Sequence, residues 1–160
     1  MLRTFIYRIS VMKILKVLFV IVISFSLSNC SKDDGPAQLK SQIYQLRYVD
    51  DPRLLGKVII SENADGSSNV LMELNGTSTE VHPTFIYYNS LAQGGPVAIT
   101  LDPCGCLVSN TRVTKLDNGN KITFEELINF NGHLKVHRSA DHMETILLQG
   151  EIGINARNIY

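Results

Sequence analysis

Apolar residues are spread along this 160-residue chain in two different ways. Near the start they form one dense block, Val17 to Leu27, preceded by Met12-Lys13-Ile14-Leu15-Lys16 and followed by Ser28-Asn29-Cys30. Beyond residue 38 they come in short runs broken by turn-forming residues. Val58-Ile59-Ile60-Ser61-Glu62 and Val70-Leu71-Met72-Glu73-Leu74 flank Asn63-Ala64-Asp65-Gly66-Ser67. The alternation of Val70, Met72 and Leu74 is that of a strand with one buried face, and Asp-Gly is a strong turn signal. Further strands are predicted at Gln42–Val49, Phe85–Tyr88, Pro96–Asp102, Leu107–Val113, His133–Arg138 and Thr145–Ile154, with another turn at Asp117-Asn118-Gly119-Asn120. One stretch carries a helical signature. Thr123 stands three residues before Glu126, the spacing of a capping box, and Asn131-Gly132 stops the run. One or two helical turns are expected over 123–130, with Phe124, Leu127 and Ile128 facing the core. Many short strands with Gly- or Asn-rich breaks predict an all-β sandwich or barrel.

The dense block has a different meaning. Its 11 residues, nine of them apolar, fall well short of the roughly 20 that a helix needs to cross a bilayer. A basic head, a short apolar middle and small residues before a lone cysteine are the parts of a bacterial export signal. The stretch Leu27-Ser28-Asn29-Cys30 resembles the lipobox of bacterial lipoproteins, in which the cysteine becomes the lipid-carrying first residue of the mature chain; Asn29 stands where Gly, Ala or Ser is usual. The expectation is a signal peptide over 1–29 whose functional start is Met12, lipid attachment at Cys30, a tether over 30–38 and a β domain over 39–160. Ser31-Lys32-Asp33-Asp34-Gly35-Pro36 is polar and rich in breakers, as a tether should be. Lys32-Asp33-Asp34 is also similar to the surface-export signal of Bacteroidetes lipoproteins. The implied address is the cell envelope, on the periplasmic or the surface face of the outer membrane.

Charge refines this picture. The chain holds 15 basic and 15 acidic side chains, but Arg3, Arg8, Lys13 and Lys16 lie in or before the signal and no acid does, so residues 31–160 are mildly acidic. Such a surface offers no footprint for nucleic acid. It draws little on anionic lipid, which leaves membrane attachment to the acyl group. About 130 residues suit one domain with one core.

Two segments carry a family resemblance. Glu80-Val81-His82-Pro83-Thr84 followed by Gly94-Gly95-Pro96-Val97-Ala98-Ile99-Thr100-Leu101 resembles the CHRD domain, in which a histidine-bearing strand leads through a loop to a Gly-Pro-led apolar strand. Gly132-His133-Leu134-Lys135-Val136-His137-Arg138-Ser139-Ala140, then Gln149-Gly150-Glu151-Ile152-Gly153, resembles the later part of that domain. Both segments are also similar to the copper/zinc superoxide dismutase fold, a Greek-key β-barrel. The resemblance spans about Gly56 to Asn155. It implies a Greek-key sandwich and, through CHRD domains, contact with protein or glycan in an extracellular setting. The dismutase ligand set is incomplete: His82-Pro83-Thr84 stands where an HxH pair belongs, no histidine lies between His82 and His133, and Thr145–Ile154 holds no cysteine for the dismutase disulfide. Dismutase activity is not expected from a chain lacking those imidazoles.

The remaining chemistry rests on histidine and cysteine. His133 and His137 are four apart, which on a strand puts them on one face about 13 Å apart. If His82 and His137 occupy dismutase-like positions they approach each other, and His142 in the next loop makes a third candidate for a weak copper or zinc site. The competing reading makes His82 and His137 framework residues that bond loop carbonyls at the barrel end. Cys104-Gly105-Cys106 admits three readings: a small disulfide ring, a soft-metal site such as one for Cu(I), or two thiols. An oxidising compartment and the freedom of Gly105 favour the ring. No nucleophile elbow, phosphate loop or HExxH helix occurs, and Glu125 and Glu126 read as the first turn of a capped helix. Alternation puts one of Tyr87 and Tyr88 inside and leaves the other for a contact surface. The sequence thus predicts a lipid-anchored, non-enzymatic binding or structural module with no required cofactor. Its alternatives are a degenerate metal-binding protein and a thiol-redox accessory protein.

Overall fold

The structure is a computed structural model that describes residues 39–51, 53–75, 80–105 and 108–156. The expected signal peptide and tether, Cys30 and Cys106 lie outside the described residues. Eight strands follow in order: β1 (Ser41–Tyr48), β2 (Leu55–Glu62), β3 (Ser68–Glu73), β4 (Val81–Tyr88), β5 (Val97–Gly105), β6 (Val108–Val113), β7 (Asn131–Ser139) and β8 (His142–Gly153). One short helix, α1 (Phe124–Ile128), lies between β6 and β7. The strands close into an antiparallel barrel in the order β1-β2-β3-β6-β5-β4-β7-β8. The all-β expectation holds, and each predicted strand is present with its ends shifted by a few residues.

Period-two patterning builds the interior. In β2 and β3, Val58, Ile60, Val70 and Met72 are fully buried, while Lys57, Ile59, Leu71 and Glu73 take the other face. The registers Val58↔Met72 and Ile60↔Val70 set these buried pairs side by side, where each side chain removed from water contributes roughly 2 kcal/mol. Leu46, Ile86, Leu134, Val136, Leu148 and Ile152 complete the same core from the remaining strands.

Two junctions in the ring are thin. Among the described residues β5 and β6 pair only at Gly105↔Val108, and β1 pairs with β8 at Arg47↔Gln149 and Tyr48↔Leu148, with the Val49 N–H donating to the Leu147 carbonyl just beyond. Side chains and the 114–130 segment take over there. The Asp102 N–H donates to Thr111 Oγ1 at 2.7 Å, and the Thr100 N–H to Asp117 Oδ1 at 3.0 Å. The Asp117 N–H returns to the Ala98 carbonyl at 2.9 Å. At the other junction Tyr44 donates its hydroxyl to the Ile128 carbonyl at 3.3 Å. Backbone groups that β-pairing leaves unmet are satisfied in this way.

The capping box is formed as predicted. The Thr123 hydroxyl accepts from the Glu126 N–H and the Glu126 carboxylate accepts from the Thr123 N–H, with Phe124 and Leu127 buried. Those bonds to Thr123, backbone first, hold the Glu126 carboxyl below its ordinary value. Strand β4 runs four residues earlier than predicted, through Pro83. A proline there costs no ladder bond, because it sits at a register shift against β5 and its pairing with β7 starts only at Thr84. Pro103 falls in the same irregularity on β5.

Gly153 closes β8 at φ +61°, and a Cβ there would stand 1.9 Å from the Phe130 carbonyl oxygen. Gly66, in the β2–β3 turn at φ +79°, has open space around it. Gly66→Ala is therefore expected to cost about 1 kcal/mol, the left-handed penalty alone. Gly153→Ala should cost several times that, on the order of 3 kcal/mol or more, as a backbone clash is added. Thermal unfolding of the two variants checks the order, and equal losses would contradict it.

Candidate functional site

The chemistry of the barrel concentrates on β4, β7 and β8. Three histidines are buried among the described residues, His82, His133 and His137. Each donates Nδ1–H to a backbone carbonyl: His82 to Arg138 at 2.6 Å, His133 to Asn89 at 2.7 Å and His137 to Met143 at 2.5 Å. A carbonyl only accepts, so each of these contacts places a proton on Nδ1.

Alternation along β4 separates the candidate ligands. His82 shares its face with Thr84 and Ile86, which are buried in the interior. Phe85 and Tyr87 take the opposite face, and His137 lies against both of them. The Tyr87 hydroxyl donates to His137 Nε2 at 2.8 Å, so both ring nitrogens of His137 are engaged. His142 is exposed at the start of β8, with Nδ1 3.4 Å from Glu144 Oε1. The three predicted metal candidates thus sit in three different surroundings. No group of three His, Cys, Asp or Glu side chains able to hold a metal forms among the described residues. The ligand set that the dismutase resemblance calls for does not fit this arrangement.

Cys104 is fully buried in β5, directly across from His82 in the β4–β5 register. It takes part in no disulfide among the described residues, and its predicted ring partner Cys106 lies outside them. The Tyr48 phenol is pushed up, chiefly by burial. Tyr48 donates to the Asn75 carbonyl. Of the two tyrosines weighed in the sequence, Tyr88 packs against the core beside Phe130, at 5.3 Å between ring centroids. Tyr87 takes the other face.

On that face Tyr87 lies nearly parallel to His133, with centroids 5.2 Å apart and planes 9° from parallel. Lys135 Nζ stands 5.2 Å from the Tyr87 ring centroid, and Phe85 meets His137 edge-on at 5.7 Å. Burial pushes the Tyr87 phenol up. The row Phe85–His137–Tyr87–His133 is continuous along β4 and β7. Glu151, opposite His133 on β8, was not singled out in the sequence. Its Oε1 accepts the Leu91 N–H at 2.9 Å, and its Oε2 is buried without a partner, as is His133 Nε2. A cleft of about 280 Å³ elsewhere on the barrel is lined by Gln45, Leu55, Gly56, Lys57, Glu73 and Asn75.

No protein-family model matches the chain, and no curated protein or solved structure matches it. The geometry of the site therefore carries the functional reading.

Tyr87→Phe removes one hydroxyl and leaves His137 Nε2 without its donor. The variant is expected to lose about 1 kcal/mol of stability. Denaturant unfolding of the two proteins checks this. A variant as stable as the parent would mean that water replaces the hydroxyl at no cost.

Proposed function

We propose that this protein is an exported lipoprotein, anchored through Cys30 to the cell envelope, whose β domain is a non-enzymatic binding or structural module. We further propose that the barrel is a Greek-key sandwich of the CHRD or superoxide dismutase-like kind. The strand order supports that reading: β4, β5 and β6 are successive neighbours, β7 returns to lie beside β4, and β3 lies beside β6.

One observation carries the framework role over the metal-binding alternative. Each buried imidazole holds a backbone carbonyl through Nδ1, and His137 also accepts from Tyr87. Imidazoles spent in this way pin two strand ends and one loop to neighbouring strands. Contact with protein or glycan, which the CHRD resemblance implies, would fall to exposed side chains such as those beside Tyr87. The alternative of a weak copper or zinc protein draws on a different observation, the cross-strand register of His82 with Cys104, since imidazole and thiolate both suit such metals.

Two measurements on the full-length, detergent-extracted protein test the proposal. Cys30→Ser should abolish incorporation of a radiolabelled fatty acid and release the protein from the membrane fraction; retained label would overturn the anchor. Metal analysis should find no stoichiometric copper or zinc, with a melting temperature indifferent to either ion. A near-stoichiometric ion that raises the melting temperature would overturn the framework role in favour of the metal reading.

A further inference from the structure

Between β4 and β5 the chain forms a strap, residues 89–95, that crosses the outer face of β7 and β8. The strap is closed on itself. The Gly94 N–H donates to the Ser90 carbonyl at 2.9 Å and the Asn89 Nδ2 to the Gly94 carbonyl at 3.0 Å. Asn89 and Gly94 both take φ +64°, a conformation asparagine tolerates better than most residues. At its root the Asn89 N–H donates to the Asn131 carbonyl at 2.9 Å.

Two side chains of the sheet then hold it down. His133 donates Nδ1–H to the Asn89 carbonyl, and Glu151 accepts the Leu91 N–H. These two residues are direct partners across β7 and β8, and each leaves one buried polar atom unmet, His133 Nε2 and Glu151 Oε2. With its proton on Nδ1, the imidazole offers Nε2 only as an acceptor, and so is the carboxylate oxygen. No hydrogen-bond partner reaches either atom, so a proton added to Nε2 would be buried without an acceptor. The closed strap therefore keeps both atoms away from water with nothing in return.

We propose that the strap is an acid-released latch: it closes over a neutral His133, and protonation of that ring favours the lifted form, in which His133 and Glu151 meet water. The groups that face His133 set the sign. From β4, Tyr87 stacks on the ring as a neutral phenol and Asn89 presents its carbonyl. From β7 comes the Lys135 ammonium, and from β8 the Glu151 carboxylate. Gln149, opposite Lys135, is uncharged, and the strap itself contributes backbone groups. Burial is the largest influence and lowers the proton affinity of His133; Lys135 adds to it, while the Asn89 carbonyl and Glu151 oppose it without reversing it. In the lifted form the hydrated ring titrates near its ordinary value. The closed form binds the proton less readily, so its advantage is intact above that value and is lost as pH falls through it towards the closed-form value. Lifting uncovers His133 beside Tyr87 on the outer face, so acid would change what that face presents.

Residue-resolved amide exchange on the intact protein tests the latch. The Leu91 N–H, corrected for intrinsic exchange, should be protected at about pH 7.5 and lose protection at about pH 5, while core amides such as Ile86 and Leu134 keep theirs. His133→Asn keeps a side-chain N–H for the Asn89 carbonyl but cannot titrate, so its Leu91 protection should no longer follow pH. Glu151→Gln keeps an oxygen for the Leu91 N–H but removes the carboxylate that favours the His133 proton, so its loss of Leu91 protection on acidification should persist. The proposal is overturned if Leu91 protection in the unaltered protein is constant or rises on acidification, or if His133→Asn keeps the full response. The unaltered protein decides the matter alone should either variant fail to fold.

Discussion

A neutral imidazole has a single proton to give, and in this barrel His82, His133 and His137 all give it to backbone carbonyls. The three acceptors lie at the loop ends of the sheet. Met143 belongs to the start of β8, Arg138 to the end of β7 and Asn89 to the root of the strap. Each bond ties a place where the chain turns to a strand already fixed by core packing. Loops carry backbone groups that strand pairing does not satisfy, and water cannot reach those lying against buried rings. The imidazoles meet that need, and their tautomers follow from it.

The placement of these bonds matches the weaknesses of the ring. Pairing is sparse between β5 and β6 and between β1 and β8, so the arc β5-β4-β7-β8 holds together mainly through its own three interfaces. Two of those interfaces contain register shifts, where the ladder loses regular bonds. His82 and His137 work beside these shifts: one reaches across β4 to β7, and the other bridges β7 to the first turn of β8. At the opposite end the 114–130 segment and its capped helix close what the thin junctions leave open, with Phe124 and Leu127 sealing the core. The order of the ring and the location of its polar bonds are thus one problem solved together.

Much of the fold was legible because its signals are local. Alternation found the strands, Asp65-Gly66 and Asn118-Gly119 marked turns that do adopt positive φ, and Thr123 with Glu126 announced the helix start. From sequence alone β4 begins at Phe85, because a proline counts against a strand, and only tertiary pairing reveals that Pro83 sits where the ladder is already interrupted. The framework reading of His82 and His137 named a loop carbonyl as partner, and the structure gives backbone carbonyls at strand ends, Arg138 of β7 and Met143 of β8; their separation onto opposite faces needed the register. The His133–Glu151 pair was beyond sequence reasoning for a definite reason. A regular hairpin closing on Ser139↔His142 would set His133 opposite Leu148, and two register shifts move its partner to Glu151. Strand periodicity says which face a residue takes; it does not say how many bulges intervene.

The account stands or falls on where the imidazole protons are. Long-range proton–nitrogen correlation spectra of the intact protein at neutral pH report the tautomer of each ring directly. The account predicts that His82, His133 and His137 all carry a proton on Nδ1. An Nδ1 without its proton in His82 or His137, or rapid averaging between the two nitrogens, would contradict it.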